Sequence, residues 1–207
     1  MPINLKLKKA IIIIFLVLLT DQVIKYWVKT TMCLGQNHYI FGNWFIIHFT
    51  ENEGMALGIK LGGQYGKLIL SLFRIIAVIL LGWWLYRITR HKDHTLLIVC
   101  LSLILAGALG NIIDSAFYGL IFNESTMMQV AQPFPPEGGY AGFLHGKVVD
   151  MFYFPIIRTH YPSWFPYYGG EEFIFFSPVF NIADSAITTG VILLIIFQKK
   201  VFEITNK

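Results

Sequence analysis

The chain has 207 residues, 56% hydrophobic and 14% charged, with a mean hydropathy of +0.61 and a formal net charge of +4. That balance excludes an ordinary soluble domain and describes a multi-span membrane protein. The basic residues stand in short clusters beside apolar runs, the pattern that sets membrane topology, and argue against nucleic acid as a partner.

Lys6, Lys8 and Lys9 precede an apolar run from Ala10 that would pass for a secretory signal, but no small-x-small cleavage site follows it. The run continues to Val28, which gives a nineteen-residue first span with Tyr26 and Trp27 at its far end. Asp21 and Lys25 lie inside it as an i,i+4 pair of opposite sign, which the plainest reading makes a self-neutralising couple near the interface. Residues 30–67 are too polar and glycine-rich to cross, and Trp44 to Phe49 after Gly42-Asn43 predicts a small extramembrane sheet.

A second span covers 68–86, interrupted by Ser71, Arg74 and Gly82, and a third covers 95–117 and carries Asn111 and Asp114. Residues 118–177 form a long loop rich in proline and aromatics, including Trp164, Phe165, Tyr167 and Tyr168, side chains that settle at a lipid interface. The fourth span is predicted over 178–197, with Ser177 as N-cap and Pro178 at the first helical position. The expected fold is therefore an all-α membrane protein of four transmembrane helices, with a small extracytoplasmic β-sheet and a long extracytoplasmic loop. Residues 1–207 read as one domain.

Nine of the sixteen lysines and arginines fall in the N-terminal tail, the loop between spans two and three, and the C-terminal tail. Both termini are thus expected in the cytoplasm and both long polar segments, 30–67 and 118–177, outside. Asp114 lies nineteen residues along the third span, roughly 28 Å across at about 1.5 Å per residue. Asp184 enters from the outer side, so Asn111-x-x-Asp114 and Asn181-x-x-Asp184 share the outer leaflet, each with its two polar residues on one helix face.

An Asp near the bilayer centre costs on the order of 3 kcal/mol, so it has usually found a partner or a task. Asp150, among apolar neighbours in Gly146 to Phe152, returns toward the same leaflet. Two carboxyls brought together near lipid cannot comfortably both ionise, and a pair holding one proton can activate water and protonate a leaving group. Acids and asparagines at this depth equally suit a transporter or proton channel, although four spans without a broken-helix pair count against transport. No H-E-x-x-H or H-x-x-E-H occurs, and Cys33 and Cys100 are far apart, so neither a metal centre nor a C-x-x-C site is expected.

The blocks G-N-I-I-D at 110–114, V-V-D at 148–150 and F-N-I-A-D at 180–184 resemble those of the lipoprotein signal peptidase (signal peptidase II) family, bacterial intramembrane aspartyl peptidases. D-Q-V-I-K at 21–25 and N-E-G-M-A-L-G at 52–58 are similar to the family's two N-terminal blocks. The resemblance implies a cofactor-free endopeptidase of the bacterial cytoplasmic (inner) membrane, working as a monomer near the outer leaflet. Its partners would be membrane lipids and lipid-modified prolipoproteins, from which it removes the signal peptide just before the lipidated cysteine. Asp150 and Asp184 would be the catalytic pair, with Asn52, Asn111, Asp114, Asn181, Asp21 and Lys25 in support. The chain departs from the family pattern at Ser115, where an arginine is usual, and in the thirty-five residues between Asp114 and Asp150, where the link is usually short. Arg74, in the outer half of its own span, is a candidate for the displaced cation.

Overall fold

The computed structural model describes residues 5–52, 63–90 and 95–199. Residues 53–58 of the second N-terminal block, Lys92 and Asp93 of the basic loop, and Lys200 onward lie outside the described residues.

Three long helices form the body: α1 (Leu5–Thr31), α2 (Gly63–Thr89) and α3 (Thr95–Ile113). Each is long and apolar enough to cross a membrane. α1 is inside out by the standards of water. Its outward face carries Ile11, Ile12, Phe15, Leu16, Leu19 and Val23, whereas Asp21, Lys25 and Lys29 are fully buried along one face at successive i,i+4 steps. α3 is the central helix, packed against α1, α2 and the last helix. Glycine permits this closeness, since a Cβ on Gly107 would stand 2.1 Å from the carbonyl oxygen of Ala183.

α3 does not stop at Asp114. The helix widens into a π-helical turn over Asp114–Tyr118 and closes with one short turn, α4 (Gly119–Ile121). Such a bulge re-aims side chains within a helix, and here it begins at an acid. The following residues, which the sequence reads as a long loop, are fastened back onto this turn. Gly146 donates its N–H to Ser115 O at 2.8 Å, Ala141 to Gly119 O at 2.9 Å and Tyr140 to Phe122 O at 2.9 Å. A Cβ on Gly146 would stand 2.2 Å from Asp114 O, so the contact depends on glycine.

Where the sequence predicts a small sheet, β1 (Asn37–Phe41) and β2 (Phe45–Asn52) pair as a hairpin about the Gly42-Asn43 turn, and the sheet they belong to draws in strands from beyond this segment. β3 (Val148–Tyr153) and β6 (Val179–Phe180) join it in the antiparallel order β1-β2-β3-β6. A separate hairpin, β4 (Ile157–His160) with β5 (Glu172–Phe175), holds Trp164, Tyr167 and Tyr168 exposed beyond its strands. In the main sheet Thr50 faces Asp150, Glu51 faces Val149 and Asn52 faces Val148. The pleat therefore divides the ladder. Phe49, Val149 and Met151 enter a core with Val28, Met32, Tyr118 and Phe122, while Asp150 turns to the opposite side.

The last helix, α5 (Ile182–Ile196), corrects the expected start at Ser177-Pro178. Its N-cap is Asn181, and Val179 and Phe180 are strand. Two mutual hydrogen bonds decide this, because the Asn181 side chain accepts from the Asp184 N–H while the Asp184 carboxylate accepts from the Asn181 N–H. α5 has fifteen apolar-rich residues, shorter than the other three helices.

Candidate active site

The polar residues singled out in the sequence converge where α1, α3 and α5 meet the sheet. Lys25 is their centre. Its ammonium lies 2.9 Å from Asp21 Oδ2 and 2.8 Å from Asp114 Oδ2, and donates to Asn111 Oδ1 at 3.1 Å. Three donors thus meet three acceptors in a fully enclosed place, the condition under which buried charge is tolerable. The pair read as a self-neutralising couple is in fact part of an interhelical triad.

Asp21 has a second task. Its Oδ1 accepts the N–H of Ala183 at 3.0 Å, one of the otherwise unsatisfied donors at the start of α5. Gln22, which the sequence did not single out, donates to Asp114 Oδ1 at 2.9 Å and Asp21 Oδ2 at 3.1 Å. Asp114 also accepts the N–H of Val149 at 3.3 Å, which ties α3 to β3 one residue before Asp150.

Above this triad lie two asparagines and two further acids. Asn111 donates from Nδ2 to Asp184 Oδ1 at 2.8 Å. Asn181 donates from Nδ2 to Asp150 Oδ1 at 2.6 Å and also reaches Asn111 Oδ1 at 3.2 Å. Asp150 and Asp184 are thereby joined through an Asn181–Asn111 bridge that rests on Lys25. Being the N-cap, Asn181 is oriented by its own helix terminus rather than by a helical face, as the N-x-x-D spacing alone had implied.

Asp150 is buried on the sheet and Asp184 is partly open at the mouth of α5. Burial, reinforced by the negative charge of Asp184, pushes the Asp150 carboxyl up to about 7 from its ordinary 3.8, against the opposing hydrogen bonds of Asn181 and Asn52 and the charge of Lys25. Asn52 reaches Asp150 because the two lie on the same side of the β2–β3 ladder, diagonally across it.

Ser115 is buried and donates to Asn111 O at 3.0 Å, so it supplies no cation to the site. Arg74, half-buried on α2, lies within electrostatic reach of Asp184, Asp150 and Asp114. α2 is held at this end by Lys67, which donates to His145 O at 2.7 Å, and by Ser71 toward Leu144 O at 3.4 Å. Lys29, Glu51 and Ser125 form a further buried polar group that the sequence reading missed, although Lys29 repeats the four-residue step from Asp21 to Lys25. Among the described residues no cluster of three or more His, Cys, Asp or Glu is arranged to hold a metal ion.

Helices apolar enough to cross a membrane thus enclose a polar cluster in which one acid, Asp150, comes from a small antiparallel sheet and another, Asp184, from the first turn of α5, the architecture of a membrane protein with an acidic site. Residues 13–199 match the family model for signal peptidase II, and the chain belongs to that family. It is 58% identical over 185 residues to a lipoprotein signal peptidase of Porphyromonas gingivalis, an alignment covering 89% of this chain and 80% of the relative. A lipoprotein signal peptidase of Amoebophilus asiaticus is 37% identical over 190 residues, covering 90% and 76% respectively. A solved bacterial membrane enzyme structure obtained by the in meso method superimposes with a TM-score of 0.59 at 29% identity, covering 93% of this chain and 88% of its own.

Proposed function

We propose that this chain is a four-span aspartyl endopeptidase of the bacterial inner membrane that cuts the signal peptide from diacylglyceryl-modified prolipoproteins just before the lipidated cysteine. Asp150 and Asp184 are its catalytic pair. The observation that carries this assignment is the Asn181–Asn111 bridge, which ties these two carboxyls to one another at the open edge of the buried cluster.

Water held between the pair attacks the scissile carbonyl carbon. Asp184, which accepts two hydrogen bonds and opens toward the outside of the cluster, takes the proton from that water. Asp150, which keeps its proton near neutral pH, first hydrogen-bonds the carbonyl oxygen and then passes a proton to the leaving amine as the C–N bond breaks. Arg74 offsets the negative charge that gathers at the pair. The triad of Lys25, Asp21 and Asp114 acts beneath as scaffold. Both termini lie in the cytoplasm, α5 is the fourth span, and the sheet and the aromatic end of the β4–β5 hairpin meet the membrane-anchored substrate from the outer side.

The test is incubation of the purified protein in detergent with a lipid-modified prolipoprotein and with its unmodified form. Cleavage of the modified form alone supports the reading, and equal cleavage of both would remove the lipid from the substrate definition.

A further inference from the structure

Lys29 continues the buried face of α1 one turn beyond Lys25, yet it serves a different cluster. Its ammonium donates to Glu51 Oε1 and, at 2.9 Å, to Ser125 Oγ, and it lies over the rings of Phe122 at 5.3 Å and Tyr140 at 5.1 Å. Ser125 in turn donates to Glu51 Oε1 at 2.8 Å. Lys147 stands 3.7 Å from Glu51 Oε2 and 3.1 Å from Glu124, and its N–H donates to the Tyr140 hydroxyl at 2.6 Å. Phe122, Glu124, Ser125, Tyr140 and Lys147 all belong to the long segment between Asp114 and Asp150. Helix α1 and the long segment therefore close together on one carboxylate of β2.

Glu51 lies on the strand position between Thr50 and Asn52, and the pleat sends its side chain to the side opposite theirs. The residues paired with these three are Val149, Asp150 and Val148. On the other side of β3 the ladder to β6 begins only at Phe152, so among the described residues β2 is the one strand partner at the level of Asp150. Whatever holds β2 in place here also sets the height of Asp150 and the reach of Asn52.

We infer that the buried Lys29–Glu51 pair, completed by Ser125 and Lys147 of the long segment, is a positioning device that fixes the β2–β3 register and so holds Asn52 against the Asp150 carboxyl. A buried ion pair is a costly way to gain stability, since an apolar pair of similar volume often does as well, and specification of one register is a use that justifies it. The inference rests on the reading of Asp150 as one of the reacting pair. The groups facing Asp150 are Asp184 and Asn181 from α5, Asn52 from β2, Lys25 from α1 and Arg74 from α2. Of these, Asn52 is the one that Glu51 controls through the chain.

The experiment is a carbon-13 NMR titration of the Asp150 carboxyl in detergent, with the resonance assigned by its loss in Asp150→Asn, and with kcat and KM measured beside it. The variants are Glu51→Gln, the double replacement Lys29→Met with Glu51→Met, and Ser125→Ala. Release of Asn52 should move the Asp150 midpoint up by about one pH unit and lower kcat about tenfold or more, with KM within about twofold. Ser125→Ala should give a smaller shift in the same direction. Should Glu51→Gln fail to fold, the double variant, which leaves no unpaired charge, and the mild Ser125→Ala carry the comparison. A folded variant in which Asp150 titrates as in the native protein would overturn the inference. The titration does not require turnover, so failure of the native protein to cleave lipidated substrate would count against the proposed function and not against this device.

Discussion

Lys25 Nζ lies 2.8 Å from Asp114 Oδ2 with both side chains fully buried, and this contact binds the first helix to the end of the third. Removing one partner of such a pair leaves the other charge enclosed and uncompensated. Lys25→Met strands both Asp21 and Asp114 and should lower stability in detergent by about 3–5 kcal/mol. Asp114→Asn should cost less, because the amide oxygen still accepts from Lys25. Thermal unfolding of the two variants checks the order.

Gly107 makes the α3–α5 contact possible, and nothing larger fits. Its Cβ would meet Ala183 O at 2.1 Å and Ile187 Cγ1 at 2.7 Å, two residues of the helix that carries Asp184. Gly107→Ala should therefore push α5 outward, cost about 1–3 kcal/mol by overpacking, and reduce cleavage through displacement of Asp184. The same substitution at Gly142, where a Cβ meets nothing within 4 Å, is the control and should leave both unchanged.

The Asp150 carboxyl gives a pH dependence of definite sign. Its folded value near 7 exceeds the ordinary 3.8, so between those limits the folded protein binds more protons than the unfolded chain, and stability falls as pH rises through that window. Asp150→Asn removes this penalty. Its melting temperature should match or exceed that of the native protein at pH 8 and lose the advantage toward pH 4. In the native enzyme, cleavage should decline above pH 7 as Asp150 gives up the proton destined for the leaving amine.

Topology is open to a direct measurement. Reporter fusions after Tyr65 and after Glu137 should register outside and one after Lys92 inside, as the lysine and arginine distribution requires. An inner signal after Glu137 would end the four-span account.

The helices and the polar residues of the site were legible because both leave local marks. An acid or amide in a lipid-compatible run is conspicuous, and the i,i+4 step from Asp21 to Lys25 already defines a shared face. What joins them was not legible. Val148, Val149, Asp150 and Met151 are all buried, so β3 shows none of the alternation by which a half-exposed strand is recognised. Its pairing with β2 spans about a hundred residues of sequence, and no local pattern encodes such a register. The start of α5 was misplaced for a related reason. Ser177-Pro178 carries a good local signal, but the capping box of Asn181 and Asp184 together with pairing of Phe180 to Phe152 outweighs it. Lys29 and Glu51 passed unnoticed because their partner Ser125 lies in a segment with no regular structure to predict.

The most direct test of the central claim is cleavage of a lipid-modified prolipoprotein by Asp150→Asn, Asp184→Asn and Asp114→Asn, each first shown to insert and to bind substrate. The amide can take the carboxyl's place in the Asn181–Asn111 bridge but cannot carry the proton. Asp150→Asn and Asp184→Asn should each lose activity by about a thousandfold or more, whereas Asp114→Asn, whose acid supports Lys25 and Val149, should keep a measurable share of turnover at a temperature where it is folded. Near-native turnover in Asp184→Asn beside a dead but folded Asp114→Asn would contradict the assignment of the pair.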